Sequence, residues 1–311
     1  MILVAGSANL DFVVRADHIP APGETILGHS LATYPGGKGA NQAVAAARAG
    51  GAITQMLLAL GNDAHARPLE ESLQSAGVQI HIVRSFTHAT GTAFICVSRD
   101  AENAITVAPG ANMLLAPQDL TPLDGVSHLL MQLETPLATV AAYARAARAA
   151  GVKVVLNAAP AQPLDAQLLG LIDILIVNQG ELASITGLHG SVREGLARLQ
   201  VPLVVVTLGA RGCCAHEGHS HFLQPAFAID PVDTTGAGDT FCGVLVAALD
   251  RNAPLAEALR LASAASALAC TRAGAQSAIP DQAEVADFLS RQPATDAQAV
   301  AQLRAYCGLA D

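Results

Sequence analysis

The segment Val201-Pro-Leu-Val-Val-Val-Thr-Leu-Gly209 is apolar at consecutive positions rather than at alternate ones. A strand of that kind must be covered on both faces, as in the middle of a parallel sheet. Similar short runs at 2–6, 53–60, 128–132, 153–157 and 173–178 also read as strands, with 203–208 the strand inside the segment quoted. Between them lie Ala-rich stretches at 39–50, 66–76 and 137–150, which read as helices; Gly50-Gly51 stops the first. The alternation predicts an α/β fold with a mostly parallel central sheet and helices on both faces. Ligands should gather at the carboxyl ends of such strands.

Two segments break this rhythm. Residues 11–35 carry turn residues at Pro20, Pro22-Gly23 and Gly28 between short alternating strands. Residues 90–108 read as a hairpin, with strands at 92–97 and 104–107 around a turn at 99–103. Neither fits inside an α/β sheet, so the two are expected to pair as a small β-sheet lid over the strand ends; a surface flap without a role is the alternative. The expected organisation is one α/β domain over 1–311, with lid insertions at about 11–36 and 90–108. The tail, 293–311, reads as one extra amphipathic helix.

Composition removes several function classes. Of the 311 residues 51% are hydrophobic, enough to offset the ordering entropy that keeps polar chains disordered. A net charge of −9 with 3% aromatics and no tryptophan lacks both the basic footprint and the stacking platforms of a nucleic-acid binder. It also lacks the aromatic faces of a lectin-like groove. The six cysteines show no C-x-x-C spacing, so a zinc or redox motif is not expected. No basic segment precedes the first apolar run, and no charge-free run reaches the ~18 residues of a membrane span. A soluble, reduced, cytoplasmic protein is expected, with no membrane partner.

The most specific motif is Asp233-Thr-Thr-Gly-Ala-Gly-Asp239, which runs into an apolar helix. Its glycines let the backbone turn tightly, and the helix start aims free N–H groups at an anion such as phosphate. An acid beside bound phosphate is repelled unless it has a task. Asp239 could take the proton of a hydroxyl attacking phosphorus; a glycine turn with a helix-favouring Asp is the plain alternative. Pro35-Gly-Gly-Lys-Gly-Ala-Asn-Gln42 also opens a helix. It is neither a Walker A loop nor a dinucleotide fingerprint, which removes the Rossmann oxidoreductase. It offers backbone, one cation and one amide, tools for a small polyol or simply a turn. Asn9, Asp11 and Glu134 follow strands, as hydroxyl acceptors or caps. Asn178-Gln-Gly-Glu181 and Thr207-Leu-Gly-Ala-Arg-Gly212 close two more strands and could serve a nucleotide. Glu181 is either an outer-sphere magnesium partner or a helix N-terminal acid. His216-Glu-Gly-His219-Ser-His221 is irregularly spaced and reads as a surface loop, with a metal site as the minor alternative.

Together the two glycine motifs resemble the ribokinase-like family of carbohydrate kinases, from about residue 2 to about residue 289. The resemblance implies an ATP-dependent sugar kinase with a β lid that often forms a homodimer contact. It implies Asp239 as the catalytic base, with Gly236, Ala237 and Gly238 as the anion hole. Asn9, Asp11, Gly37, Lys38, Asn41 and Glu134 match the family's sugar-contacting positions, which points to D-ribose and its 5-hydroxyl. Asn178, Thr207, Gly209, Gly212 and Gly238 match nucleotide positions, while Ser263 stands where a larger polar residue borders the adenine. Magnesium would enter with ATP, associated with Glu181. A potassium-type activator would sit at Asp233, Thr235, Ala269, Arg272 and Gly274, mostly on backbone carbonyls. The last position of that set, often Ser, is Ala278, with Ser277 just before it. Kinases of the same family for 2-deoxyribose, nucleosides or ketohexoses are the alternatives, followed by a silent sugar or nucleotide sensor. Sugar phosphates rank low, since only Lys38 and Arg15 supply charge near the sugar motifs.

Overall fold

The computed structural model describes residues 1–100 and 102–309. Ala101, inside the turn read at 99–103, and Ala310 and Asp311, at the end of the tail, lie outside the described residues. The strands are β1 (Ile2–Ala5), β2 (Asn9–Arg15), β3 (Ser30–Gly36), β4 (Thr54–Gly61), β5 (Gln79–Ser85), β6 (Gly91–Val97) and β7 (Asn103–Ala108), then β8 (His128–Met131), β9 (Lys153–Asn157), β10 (Ile174–Asn178), β11 (Leu203–Thr207), β12 (Gly212–Glu217) and β13 (Ser220–Pro225). The helices are α1 (Lys38–Arg48), α2 (Ala66–Ser75), α3 (Leu137–Ala149), α4 (Ala166–Leu169) and α5 (Gln179–Thr186), then α6 (Val192–Leu196), α7 (Ala237–Asp250), α8 (Leu255–Cys270), α9 (Gln282–Ser290) and α10 (Ala297–Tyr306).

Nine strands form the main sheet in the order β13-β12-β11-β10-β9-β8-β1-β4-β5. From β11 to β5 every neighbour is parallel, and β12 and β13 add an antiparallel edge. The side chains of β1 show why its run had to be apolar throughout. Ile2 and Val4 point into one core, with α1, α7 and α8, while Leu3 and Ala5 point into the other, with α3 and α5. The strand is therefore buried on both faces, as the sequence implies. Its polar residues are kept for the carboxyl edge, where Ser7, Gln132, Asn157, Asn178 and Thr207 follow or end their strands. The sequence reading has no strand at 79–85, because Gln79, His81 and Arg84 interrupt the apolar run. As β5 it lies at the sheet's outer edge, where less cover is needed.

The lid is a separate four-stranded sheet, ordered β3-β2-β6-β7. Its two hairpin segments meet through a parallel β2–β6 pair, with Asn9 opposite Gly91 and Asp11 opposite Ala93. Strand β2 begins at Asn9, so the lid starts two residues before the predicted boundary. Its inner face carries Asp11, Val13, Arg15, Ile95 and Ile105 over a cavity of about 330 Å³, whose floor includes Asp233, Thr235 and Gly274. The opposite face leaves Leu31 and Phe94 exposed, with Phe94 stacked on Phe12.

Helices α1 and α7 cross closely beneath the site. A Cβ on Gly243 would stand 2.4 Å from the Gln42 carbonyl oxygen and 2.7 Å from the Ala45 Cβ, so only glycine permits this approach. The tail forms α10, and Leu303, Cys307 and Leu309 bury against the core on the α3 side. His216 and His221 are not in a loop. They face each other across the β12–β13 hairpin, whose turn is only two residues, because hairpin pairing extends the strands up to Gly218-His219. Among the described residues no cluster of three His, Cys, Asp or Glu side chains could hold a metal, and all six cysteines are free. No helix among them is long and apolar enough to cross a membrane.

Candidate active site

Gly236 caps α7 in the left-handed conformation (φ 72°), and the helix's first turn is Ala237, Gly238 and Asp239. The cap turns the chain so that the N–H groups of that turn face a cleft at the sheet's carboxyl edge. Asp239 points inward and is buried. Its Oδ2 accepts from Asn41 Nδ2 at 2.9 Å, and its Oδ1 from Gln42 Nε2 at 2.9 Å. Both donors come from α1, so the two glycine motifs meet at this carboxylate.

The other residues expected to meet a sugar lie nearby. Gly37 (φ 88°) caps α1, and a Cβ there would lie 2.6 Å from the backbone nitrogen of Asn9. That close approach brings Lys38 and Asn41 beside the start of the lid. Glu134 Oε2 accepts from Ser7 Oγ (2.5 Å) and from the Lys38 backbone N–H (3.2 Å). Asn9 is oriented by Asn112, whose Nδ2 donates to Asn9 Oδ1 at 2.7 Å. Burial, then Glu134 and Asp239, push the Asp11 carboxyl up to about 7. The carboxylate of Asp239, aided by Glu134 and Glu181, raises the Lys38 ammonium against the opposing effect of burial. The structure thus brings Asn9, Asp11, Gly37, Lys38, Asn41, Glu134 and Asp239 near one another, with Asp11 on the wall of the 330 Å³ cavity and Lys38 and Asp239 on the wall of a smaller one.

On the far side of α7's first turn is a cavity of about 470 Å³. Thr207, Gly209, Gly212, Ala237, Gly238 and Ser263 line it, together with the apolar Phe227 and Phe241. Ser263 sits on α8 with its Oγ 3.8 Å from Cys213 Sγ. Asn178 is not there. It lines a smaller neighbouring cavity of about 140 Å³ with Lys38, Glu181, Gly236, Gly238 and Asp239. Asn178 and Glu181 form a reciprocal cap on α5: Asn178 Oδ1 accepts from the Glu181 N–H at 2.8 Å, and Glu181 Oε2 from the Asn178 N–H at 2.7 Å. Glu181 is therefore both the helix N-terminal acid and a wall of the small cavity. Burial raises its carboxyl, opposed by the Asn178 N–H and by Lys38.

The remaining positions divide. Asp233 Oδ1 accepts from the N–H and hydroxyl of Thr235 (2.9 and 2.7 Å), and its Oδ2 from the Gly274 N–H at 2.9 Å. One carboxylate thereby ties the 233–235 loop to the 273–275 loop. Ala269 and Arg272 lie apart from this cavity wall: Ala269 is buried in α8, and the Arg272 guanidinium pairs with Glu284. Ala278 is fully buried, and Ser277 Oγ donates to the Ala273 carbonyl oxygen at 3.2 Å.

A phosphate-suited helix start between a polyol cleft and a nucleoside-sized cavity is the arrangement of a kinase. The sequence profile of the pfkB family carbohydrate kinases matches residues 1–282. This chain is a member of that family. It is similar to ribokinases of Haemophilus influenzae (38% identity over 301 residues, 93% of this chain and 98% of the relative) and Bacillus subtilis (37% over 294 residues, 93% and 99%). Among solved structures it is similar to Arabidopsis thaliana ribokinase complexed with ribose and ATP, with a TM-score of 0.86, 33% identity and coverage of 94% and 99%. The ribokinase of Thermotoga maritima gives 0.84, 34%, 93% and 99%. The lid plus parallel sheet is thus the ribokinase-like architecture that the two glycine motifs imply.

The sequence motifs point to Asp239 and its glycines, but not to the side chains that orient Asp239 and Asn9. Asn112, Asn157 and the contact role of Gln42 were missed. Asn157 ends β9 as Asn178 ends β10, a polar strand end that could have been noticed. Asn112 lies in a short 3₁₀ helix, Gly110–Leu114, with no sequence signal.

Proposed function

We propose that this chain is a ribokinase that transfers the γ-phosphoryl group of ATP to the 5-hydroxyl of D-ribose. The observation that carries the reading is Asp239. It stands beside the sugar-side residues in the first turn of α7, where Ala237 and Gly238 line the nucleotide-sized cavity. Asn9, Asp11, Gly37, Lys38, Asn41 and Glu134 hold the sugar, leaving one hydroxyl beside Asp239. That carboxylate takes the hydroxyl proton as the oxygen bonds to the γ-phosphorus and the bond to the β-phosphate oxygen breaks, releasing ADP. Gly236, Ala237 and Gly238 stabilise the charge on the transferring group through backbone N–H groups. Thr207, Gly209, Gly212, Gly238 and Ser263 line the nucleotide's place, and Asn178 stands beside its phosphates.

The donor set of the 140 Å³ cavity fits a hydrated divalent ion, since Glu181 and Asp239 both line it. Magnesium bound there with ATP would offset phosphate charge, held through water by Glu181. A potassium-type ion would be held by oxygens of Asp233, Thr235, Ala269, Arg272 and Gly274; the tie between the 233–235 and 273–275 loops supports two of those segments, and the buried Ala278 supplies no side-chain ligand. The exposed Leu31 and Phe94 of the lid support a homodimer through that sheet, and the whole is a cytoplasmic enzyme.

The test is ATP- and magnesium-dependent phosphorylation across pentoses, hexoses and nucleosides, with and without potassium. Ribose is expected to turn over best, and faster with potassium. Good turnover of another substrate without ribose activity would remove the ribose assignment, and no turnover of any would favour a silent binder.

Asp11 adds a pH dependence. With its carboxyl raised to about 7, the free site holds a proton there below that pH and accepts sugar hydroxyls poorly. Sugar binding favours the ionised form and releases the proton. The KM for ribose is therefore expected to rise as pH falls through about 7, and Asp11→Asn to weaken binding and flatten that slope. A KM that does not vary across this window rules the linkage out.

A further inference from the structure

Gln42 is fully buried beneath Asp239, and no atom of it faces the cleft. One amide nitrogen serves two acceptors: Nε2 donates to Asp239 Oδ1 and to Asn157 Oδ1, both at 2.9 Å. Its Oε1 accepts from Gln132 Nε2 at 2.6 Å. The Asn157 amide is fixed in turn, Nδ2 donating to the Ile176 carbonyl oxygen at 3.1 Å. A carboxylate can only accept, so Gln42 must present its NH₂ to Asp239 and its oxygen to Gln132, which must then present its own NH₂. Gly6 leaves room for this, since a Cβ there would lie 2.0 Å from Gln132 Oε1. The chain of amides thus draws α1, β9, β10 and the residue after β8 onto one oxygen of Asp239.

We infer that Gln42, oriented by Gln132 and Asn157, is a positioning residue for the phosphoryl-transfer step. It holds Asp239 Oδ1 from behind so that the carboxylate faces the sugar hydroxyl in one rotamer. This rests on the reading of Asp239 as the base. A group held within a fraction of an ångström of the reacting hydroxyl loses rate, not substrate affinity, when its support goes.

Gln42→Met keeps the side chain's length and removes its polar ends. At saturating ATP, kcat is expected to fall about tenfold, with KM for ribose within about threefold of the unmodified enzyme. Gln132→Met touches no atom of Asp239 and is expected to lower kcat about threefold, again at near-constant KM. Thermal melting checks that each variant is folded, and if Gln42→Met does not fold, Gln132→Met alone decides. Unchanged kcat in the folded variants, or a loss shared in proportion by kcat and KM, overturns the inference. Asp239→Asn, measured alongside, separates two failures. If it keeps turnover, the base assignment falls. If it loses turnover while both Gln variants keep theirs, only the role of Gln42 falls.

Discussion

Asp239→Asn is expected to cut kcat by at least ~10²-fold while leaving ribose binding within about tenfold. The amide is nearly isosteric with the carboxylate and sits in a pocket already shaped by Asn41 and Gln42. What it lacks is the capacity to take a proton. It also turns an NH₂ group toward either Asn41 Nδ2 or Gln42 Nε2, both of them donors, so some loss of affinity comes from that mismatch. The anion hole and the sugar contacts remain, which is why turnover should not vanish. Calorimetric titration with ribose and initial-rate kinetics measure the two effects separately. Near-normal kcat with intact binding would remove Asp239 from the chemistry.

Gly243→Val is expected to destabilise the fold by about 1–3 kcal/mol or more, the usual cost of forcing added carbon into a packed interior. The new Cβ would meet the Gln42 carbonyl at 2.4 Å, backbone that cannot rotate away as a side chain could. The two helices must part, and both carry residues of the proposed site at their N-terminal ends. Activity should therefore fall with stability, although position 243 lies one helical turn from Asp239 and touches no substrate. Chemical denaturation of the purified variant gives the stability, and residual kcat below the melting transition gives the second effect. An unchanged midpoint would mean that the helices can separate freely.

The α/β architecture was legible because its signals are local. Each buried strand states its environment in four or five consecutive residues, as β1 does in Ile2–Ala5. Asp239 was legible for the same reason, since glycines and acid share one heptad. The sugar-contact roles proposed for Asn9, Asp11, Lys38, Asn41 and Glu134 rest on the family resemblance, because by itself a polar residue after a strand is as consistent with a cap as with a hydroxyl acceptor. Glu181 shows that the choice can be a false one, since its side chain caps α5 and also walls a cavity. The Gln42–Asp239 contact was illegible. Its partners are 197 residues apart in the chain, and nothing local marks a buried glutamine as a support rather than a space filler. The histidine hairpin was misread because turn-forming residues dominate its composition, while its strands are set by pairing with β11.

The lid's first strand follows β1 after only three residues, and it opens with Asn9 and Asp11 themselves. With Asn9 and Asp11 holding the sugar as proposed, recognition and coverage are built into one piece of backbone. A sugar cannot be held by these side chains while the strand that bears them swings away, so grip and shelter from water arrive together. Removing the lid would not yield an open, faster enzyme; it would remove the grip. Exchanging it for a relative's lid would change which sugar is chosen as well as how tightly the site shuts.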